Sequence, residues 1–435
     1  MKKFLLIATI ALGLAGCSKK LDSLLVNPNA PDPSQGNVDL YFTQAQLSFA
    51  DLFNSFSVTG MELTRQLIMF GPAYNNAYTP QSFDGEWTTA YTGVIKHADE
   101  VIRIGTTQRK FAMVGMTKVL KAYTMMSLVD MFGDVPYAEA NLGIGNLSPK
   151  IERGADVYAK AITLLDSAVA DFAKTSTSFP GSLDLFYGVS NAAGQANWRR
   201  AAKTLKLRAL IQTRLVQNNA AGIQALLTEN DLINTTAQDF EFKYGSKVAN
   251  PNTRHPFYNS NYSAAGNAAD YVGTYFLWVM NNERTVGAGN IDPRTRYYFY
   301  RQQTNYAQVS PNTSSCSVEP LPPHYTQGIF NPYTGTTYNM PFCLVGGGLW
   351  GRDHGDNSGI PPDANLRTTW GIYPAGGEID LAQGTRVSLD RGARGAGIAP
   401  IWQSAFTDFL RAEAALLGLA SGNPKALLEA GMRKS

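Results

Sequence analysis

Residues 158–172 read YAKAITLLDSAVADF. Apolar residues recur three or four positions apart along it, so that Val157, Ala161, Leu164, Leu165, Ala168 and Phe172 trace one stripe. That is the period of an α-helix with one face turned to a core, and not the two-residue alternation of a strand. It predicts a helix over Ala155 to Phe172. The same period marks Asn37 to Phe70, Phe111 to Phe132, and Asp84 to Ile104, where Trp87, Tyr91, Val94, Ile95, Ala98 and Ile102 share a side. It recurs from Trp198 to Val216 through Trp198, Ala202, Leu205 and Ala209. Short Gly/Pro/Asn turns join these segments, which predicts helical hairpins stacked side by side.

The 158–172 segment is similar to the tetratricopeptide pattern, with an aromatic, then Ala, then Ala at helical spacing, although the repeat period is loose. From about residue 235 to 400, Pro, Gly, Asn, Thr and Tyr take over, as in VANPNTRHPFYNSNYSAAGN. This stretch predicts irregular structure, with short strands at 297–303 and 385–389 and one helix from Tyr271 to Asn281. Helical spacing returns at Ile401, through Ala405, Phe409, Ala412 and Leu416. Asn423 and Pro424 then fit the N-cap and N1 positions of a last helix, which runs to Ser435 without a closing loop and reads as a truncated C-terminus. The expected fold class is mostly α, a tetratricopeptide-like helical scaffold with a large loop-rich portion and short strands.

At the other end, Lys2 and Lys3 precede an uncharged apolar run from Phe4 to Ala15, too short to cross ~30 Å of hydrocarbon. Leu14-Ala15-Gly16-Cys17 closes the run and resembles the bacterial lipobox, whose cysteine is lipidated, by palmitate among other acyl chains, and becomes the new N-terminus. The reading is a lipoprotein signal peptide over 1–16, a Pro/Asn-rich tether over 17–36, and one domain over 37–435. Within that domain, 37–234 and 401–435 form the helical scaffold and 235–400 a loop-rich insertion. Cys17 would hold the chain to a membrane, since two acyl chains anchor stably where one does not. Of 37 basic side chains, loss of Lys2 and Lys3 leaves 35 against 34 acidic ones. That balance argues against nucleic acid. Cys316 and Cys343 form a candidate disulfide in an exported chain, with two buried thiols as the alternative.

There is no HExxH, GxSxG, Walker A or CxxC motif, so neither a catalytic set nor a metal or cofactor site stands out. Arg352 to Asn357 is the nearest approach. Asp353 and Asp356 could ligate calcium, but an Asx-rich turn explains them equally and the EF-hand spacing is missing. Six basic residues in NWRRAAKTLKLRALIQTRL (197–215) predict a solvated face or partners for carboxylates on neighbouring helices. The positive signal is aromatic. Tyr74, Tyr78 and Trp87 cluster with Asn75 and Asn76. Tyr275 and Trp278 share the inserted helix, and Tyr325 and Trp350 lie in loops, as do Trp370 and Tyr373. Flat rings flanked by amides suit a sugar, which presents a C–H face and a hydroxyl rim. With Arg65 as a further hydrogen-bond donor, these are the candidate ligand residues: Arg65, Tyr74, Asn75, Asn76, Tyr78, Trp87, Tyr275, Trp278, Tyr325 and Trp350.

Asp130 to Ala140 reads DMFGDVPYAEA and resembles the DxFGDVPYxEA phrase of the SusD/RagB family, surface lipoproteins of Bacteroidetes nutrient uptake. Physically, Gly133 is placed to end a helix in a left-handed cap, and Pro136 keeps Val135 extended. VNPNAPDPS (26–34), IDPRTRYYF (291–299) and FLRAEAALLG (409–418) resemble other family segments in order. The resemblance implies a helical tetratricopeptide-like scaffold, lipid-anchored on the outer face of the outer membrane. It implies a SusC-like TonB-dependent transporter as partner, a glycan or in some branches a peptide as ligand, and no bond-breaking chemistry. The family pattern continues beyond residues 424–435. The readings that follow are glycan capture first, peptide capture second, and a lipoprotein glycosidase using two carboxylates as a minor third.

Overall fold

The computed structural model describes residues 36–69, 78–262, 270–281, 291–304, 329–331, 336–338, 344–346, 348–352, 354–355, 367–382 and 384–435. Helix α1 (Val38–Leu63) opens on Asn37, whose side chain accepts from the Asp39 N–H. Helix α2 (Asp84–Thr88) runs through a π-helical turn (Thr89–Ile95) into α3 (Lys96–Thr107). Then come α4 (Phe111–Phe132), α5 (Gly154–Phe172), α6 (Ala196–Gln212) and α7 (Ala220–Glu229). Helices α4 and α5 form the most extensive hairpin, with α3 and α6 on either side of it. Their shared core runs from Phe42 and Phe49 of α1 through Met116, Leu120 and Val157 to Trp198 and Leu205. The expected stacked hairpins are what the fold contains.

The structure departs from the sequence reading in several places: α6 ends at Gln212 and not Val216, α9 (Thr274–Asn281) starts three residues later than expected, Ile401 lies in a strand, and two further differences shape the scaffold. Helix α1 stops at Leu63 instead of Phe70, because Arg65 turns to φ 61° and the chain beyond it pairs with residues 271–273. A two-residue ladder, β1 (Val135–Pro136) on β2 (Ile151–Glu152), joins α4 to α5 where no strand was expected. It belongs to the DMFGDVPYAEA phrase. Gly133 has φ 77° and ψ −113°, mirror-image extended backbone and not the left-handed helical cap expected, and its N–H still closes on Val129. The Asp134 carboxylate accepts from the Gly154 N–H at the start of α5 (2.8 Å), and the Tyr91 hydroxyl donates to Pro136 O (2.7 Å).

The basic face of α6 is an inter-helix clasp. Arg199 and Lys203 reach Asp231, Lys206 reaches Asp166 on α5, and Arg208 reaches Asp130 on α4. Arg214 pairs with Glu413. These are the internal carboxylate partners that the sequence suggested.

After α7, strand β3 (Phe240–Lys243) leads into the loop-rich portion. There α8 (Pro256–Asn261), α9 (Thr274–Asn281), α10 (Thr295–Tyr298) and β4 (Phe299–Arg301) are followed by β5 (Ile329–Asn331), β6 (Thr336–Tyr338), β7 (Leu344–Gly346), β8 (Leu349–Trp350) and β9 (Thr368–Trp370). The pairings are β4 with β9, β5 with β6 and β7 with β8, all antiparallel. Residues 385–389 are not a strand, contrary to expectation; their Val387 N–H instead bonds the buried Gln302 side chain (3.1 Å). Strand β10 (Ile398–Trp402) then returns to pair with β3, and α11 (Ser404–Leu416) and α12 (Pro424–Lys434) finish the fold. Asn423 caps α12 as expected, accepting from the Ala426 N–H. A second core, with Leu67, Phe257, Leu277, Trp278, Phe299 and Trp370, sits under these short elements.

Two buried polar groups make the fold testable. Asp184 accepts from the Trp198 indole (2.9 Å) and from the N–H groups of Phe186, Tyr187 and Val189. Asp184→Ala strands these buried donors and should cost roughly 4 kcal/mol in chemical denaturation, since each orphaned donor costs about 1–3 kcal/mol. His255 is 3% exposed, and burial pushes its imidazole down to about 3. Its Nδ1 accepts from the Phe257 N–H. Because the folded form resists protonation, this site's contribution is complete above the unfolded value near 6.5 and is lost as pH falls from there toward 3. His255→Asn keeps the cap but cannot titrate. Wild type should therefore lose stability relative to that variant below pH 6.5, by up to about 1.4 kcal/mol per pH unit.

Candidate ligand-binding face

The face is organised by the last turn of α1. Past Leu63 the chain reverses. The Gln66 N–H bonds Met61 O (2.8 Å), Leu67 bridges Val272, and the Gly273 N–H bonds Gln66 O (2.9 Å). A Cβ at Gly273 would lie 2.4 Å from Arg65 O, so glycine alone permits this approach. The crossing sets exposed Arg65 on the same edge as the start of α9, where Tyr275 is 39% exposed.

On the other side of α1, four rings form a ledge. The Tyr78 hydroxyl donates to Glu62, and its ring stacks on Phe83 (5.9 Å, 17°). Phe83 meets Phe132 edge-on (5.9 Å), and Phe132 meets Trp87 edge-on (5.3 Å). Trp87, 37% exposed, leans on Tyr91 (4.9 Å), whose hydroxyl is anchored on Pro136 O. Stacked and edge-to-face neighbours hold the rings, and all four keep part of their surface in contact with solvent. Glu62 supplies a polar group at the end of the row. Burial pushes its carboxyl above the usual range, the Tyr78 hydroxyl opposes that shift, and the charge of Asp270 adds to it.

Of the residues expected from sequence, the structure brings Tyr78 and Trp87 into one ledge and places Arg65 and Tyr275 at the rim formed by the α1 crossing. Trp278 and Trp350 are not part of a ligand face. They are 5% and 0% exposed: Trp278 of α9 lies in the second core, and Trp350 of β8 is buried next to Leu349, which belongs to that core. Trp370 is likewise buried, stacked on Phe257 (4.8 Å, 12°). Tyr74, Asn75, Asn76 and Tyr325 lie outside the described residues, as do Cys17, Cys316, Cys343, Asp353 and Asp356. The sequence reading missed Phe83 and Phe132. Phe83 stands four residues before Trp87, one helical turn away, and Phe132 immediately precedes Gly133, so both were within reach of spacing arguments.

A second aromatic element sits deeper. The Arg352 guanidinium lies 4.0 Å from the Tyr271 ring centroid and that of Arg367 lies 5.1 Å from it, with both arginines buried. This fixes the strand-like segment from which Tyr275 departs.

Stacked helical hairpins carrying an irregular cap with a half-exposed aromatic ledge define a tetratricopeptide-like binding scaffold. A family model for SusD-like proteins, described as "Starch-binding associating with outer membrane", matches residues 31–313. The chain belongs to that family, whose members are binding proteins associated with the outer membrane. Solved structures agree on the fold. A chitin-binding protein aligns at a TM-score of 0.61 and 17% identity over 93% of this chain and 74% of its own. A SusD/RagB family protein from Bacteroides thetaiotaomicron aligns at 0.60 and 15% identity over 91% and 71%. A chitin-binding SusD homolog from Flavobacterium johnsoniae aligns at 0.56 and 16% identity over 90% and 70%. No curated protein sequence matches significantly. No helix among the described residues is long and apolar enough to cross a membrane.

Glu62 gives this face a pH signature. Its raised carboxyl destabilises the fold above its folded value, and that penalty fades as pH falls from there toward the unfolded value near 4.5, below which it is gone. Glu62→Gln retains an acceptor for Tyr78. It should be more stable than wild type at pH 7 and equal to it near pH 3, measured by thermal melting across that range.

Proposed function

We propose that this protein is a cell-surface lipoprotein that captures an oligosaccharide on the Tyr78–Phe83–Trp87–Phe132 ledge and delivers it to a SusC-like TonB-dependent transporter. The observation that carries this reading is the row of partly exposed aromatic rings, with Tyr78 stacked on Phe83 and Phe132 edge-on to both Phe83 and Trp87. Sugar rings stack on aromatic faces through their C–H surface, while Glu62 beside Tyr78 offers an acceptor for hydroxyls and exposed Arg65, past the end of α1, a donor. Lipidation at Cys17 after removal of residues 1–16, with 17–36 as tether, would keep this face at the membrane surface beside its transporter. Tyr74, Asn75 and Asn76, which the sequence places between Met69 and Tyr78, would extend the ledge.

Capture, and not hydrolysis, is the reading that the carboxylates favour. Glu62 and Asp270 feel each other's charge, but Glu62 is held by Tyr78, and Asp270 Oδ2 accepts from Ser260 Oγ and Asn261 Nδ2 (both 2.9 Å). Each is already engaged by its own side-chain partners, Glu62 by Tyr78 and Asp270 by two residues of α8. The aromatic row also favours a sugar over an extended peptide, which would need exposed strand edge more than ring faces.

Chitin and starch oligosaccharides are the first probes, given the neighbours and the family description. In isothermal titration, Trp87→Ala should weaken glycan binding about tenfold or more, the loss of one stacking contact of about 1.5 kcal/mol. Binding of peptides with no binding of any glycan would replace this reading with peptide capture.

A further inference from the structure

A separate cavity of about 220 Å³ opens between α1 and α4, bordered by α6. Its walls are rings and aliphatic groups, with Phe49, Phe53 and Phe56 from α1 facing Tyr123 and Met131 from α4. Polar groups, Ser57, Ser127, Asp130 and Arg208, complete the lining. None of these side chains belongs to the ledge.

Size limits the guest. The volume exceeds the roughly 150 Å³ that holds benzene and falls short of the ~300–1,000 Å³ of a drug-sized site. One substituted ring fits that interval. The polar lining then limits its chemistry. Asp130 accepts from the Tyr158 hydroxyl on Oδ1 (2.5 Å) and from Arg208 Nη2 on Oδ2 (3.1 Å), while a carboxylate has room for about four such bonds. Arg208 carries five N–H donors, hydrogen-bonds Asp130 and the Tyr123 hydroxyl, and rests 5.5 Å from the Tyr123 ring centroid, which leaves donors over. The side chains of Arg208 and Asp130 are 18% and 35% exposed, so both can meet an arriving ligand.

The cavity therefore presents a spare acceptor and spare donors side by side, with their charges balanced. An anionic guest would meet Asp130 and a cationic guest would meet Arg208. A neutral ring with hydroxyls on adjacent carbons satisfies both, and its C–H face matches the aromatic walls. We infer that this cavity is a second carbohydrate site, one that takes a single neutral sugar ring within the helical scaffold. It does not depend on the ledge being the capture site.

The test is saturation-transfer NMR on the full chain, with glucose, galactose, mannose and N-acetylglucosamine offered singly, glucuronate as the anionic control, and phenylalaninamide as the apolar control. At least one neutral sugar should bind in the millimolar range, with glucuronate weaker. Ser57→Leu, which fills the cavity from α1, should weaken that binding tenfold or more. Circular dichroism checks that it folds; if it does not, Phe53→Leu removes one ring wall at little change in apolar volume and should weaken binding likewise. Trp87→Ala separates the sites: binding that persists there isolates the cavity. Loss of monosaccharide binding in Trp87→Ala assigns the sugar to the ledge and overturns the inference while leaving the capture reading intact. Unchanged binding in the cavity variants, no binding of any neutral sugar, or preferential binding of phenylalaninamide would each overturn it.

Discussion

The antiparallel ladder between Phe240–Lys243 and Ile398–Trp402 is the constraint on which the rest depends. It closes the whole loop-rich portion at its base and returns the chain to the helical core. Phe240 is buried against Phe49, Phe186 and Trp198, and Ile401 and Trp402 share that core. The Asp239 carboxylate accepts from the Ser404 N–H (2.7 Å), so the ladder also starts α11. A long excursion between the two strands is cheap, because loop-closure entropy grows only by about 0.6 kcal/mol per doubling of length. Four paired residues with a buried aromatic stripe can therefore hold an irregular segment that has little regular structure of its own.

The excursion is tied down a second time at the end of α1. Leu67, just past α1, bridges Val272 and enters the second core, against which Val58 and Met61 of α1 also pack, whereas Phe42 and Phe49 earlier in that helix belong to the first. Helix α1 thus connects both cores, and its last turn is where they meet. Arg65 holds a left-handed conformation there, uncommon for a side chain of its size, which reverses the chain between the cores. The surface at such a junction draws residues from elements distant in sequence. That is why Arg65 and Tyr275 share one edge of the molecule.

The scaffold was legible because helical burial is written at short range. The 3.6-residue stripes of 155–172 and 111–132 and the Asn423-Pro424 cap all correspond to what forms, and the cations of α6 find the carboxylates they called for. The end of α1 was not legible, since Gln66 to Met69 continue its apolar character but pair with a partner some two hundred residues on. The same reason hid the fate of Trp278 and Trp350. A tryptophan in a Gly/Pro-rich stretch looks loop-borne until two-residue strands, invisible as periodicity, assemble a core around it. Trp87 keeps its partial exposure on the short helix α2, and Tyr78 lies in the extended lead-in just before that helical segment.

The DMFGDVPYAEA phrase links this architecture to the ledge. Phe132 is the last residue of α4, and the positive φ of Gly133 turns the chain away immediately after it. A residue with a Cβ at that position would be strained by the positive φ, although the space around it is open. The next residues fix the opposite side: Pro136 O receives the Tyr91 hydroxyl, and Tyr91 supports Trp87 from behind. The phrase therefore orients the two rings that flank the middle of the ledge through one glycine and one carbonyl. Rings held this way lose little further freedom when a ligand arrives, so more of the stacking energy is available as affinity. A sequence signature that reads as a helix stop is, in three dimensions, the support of the proposed binding face.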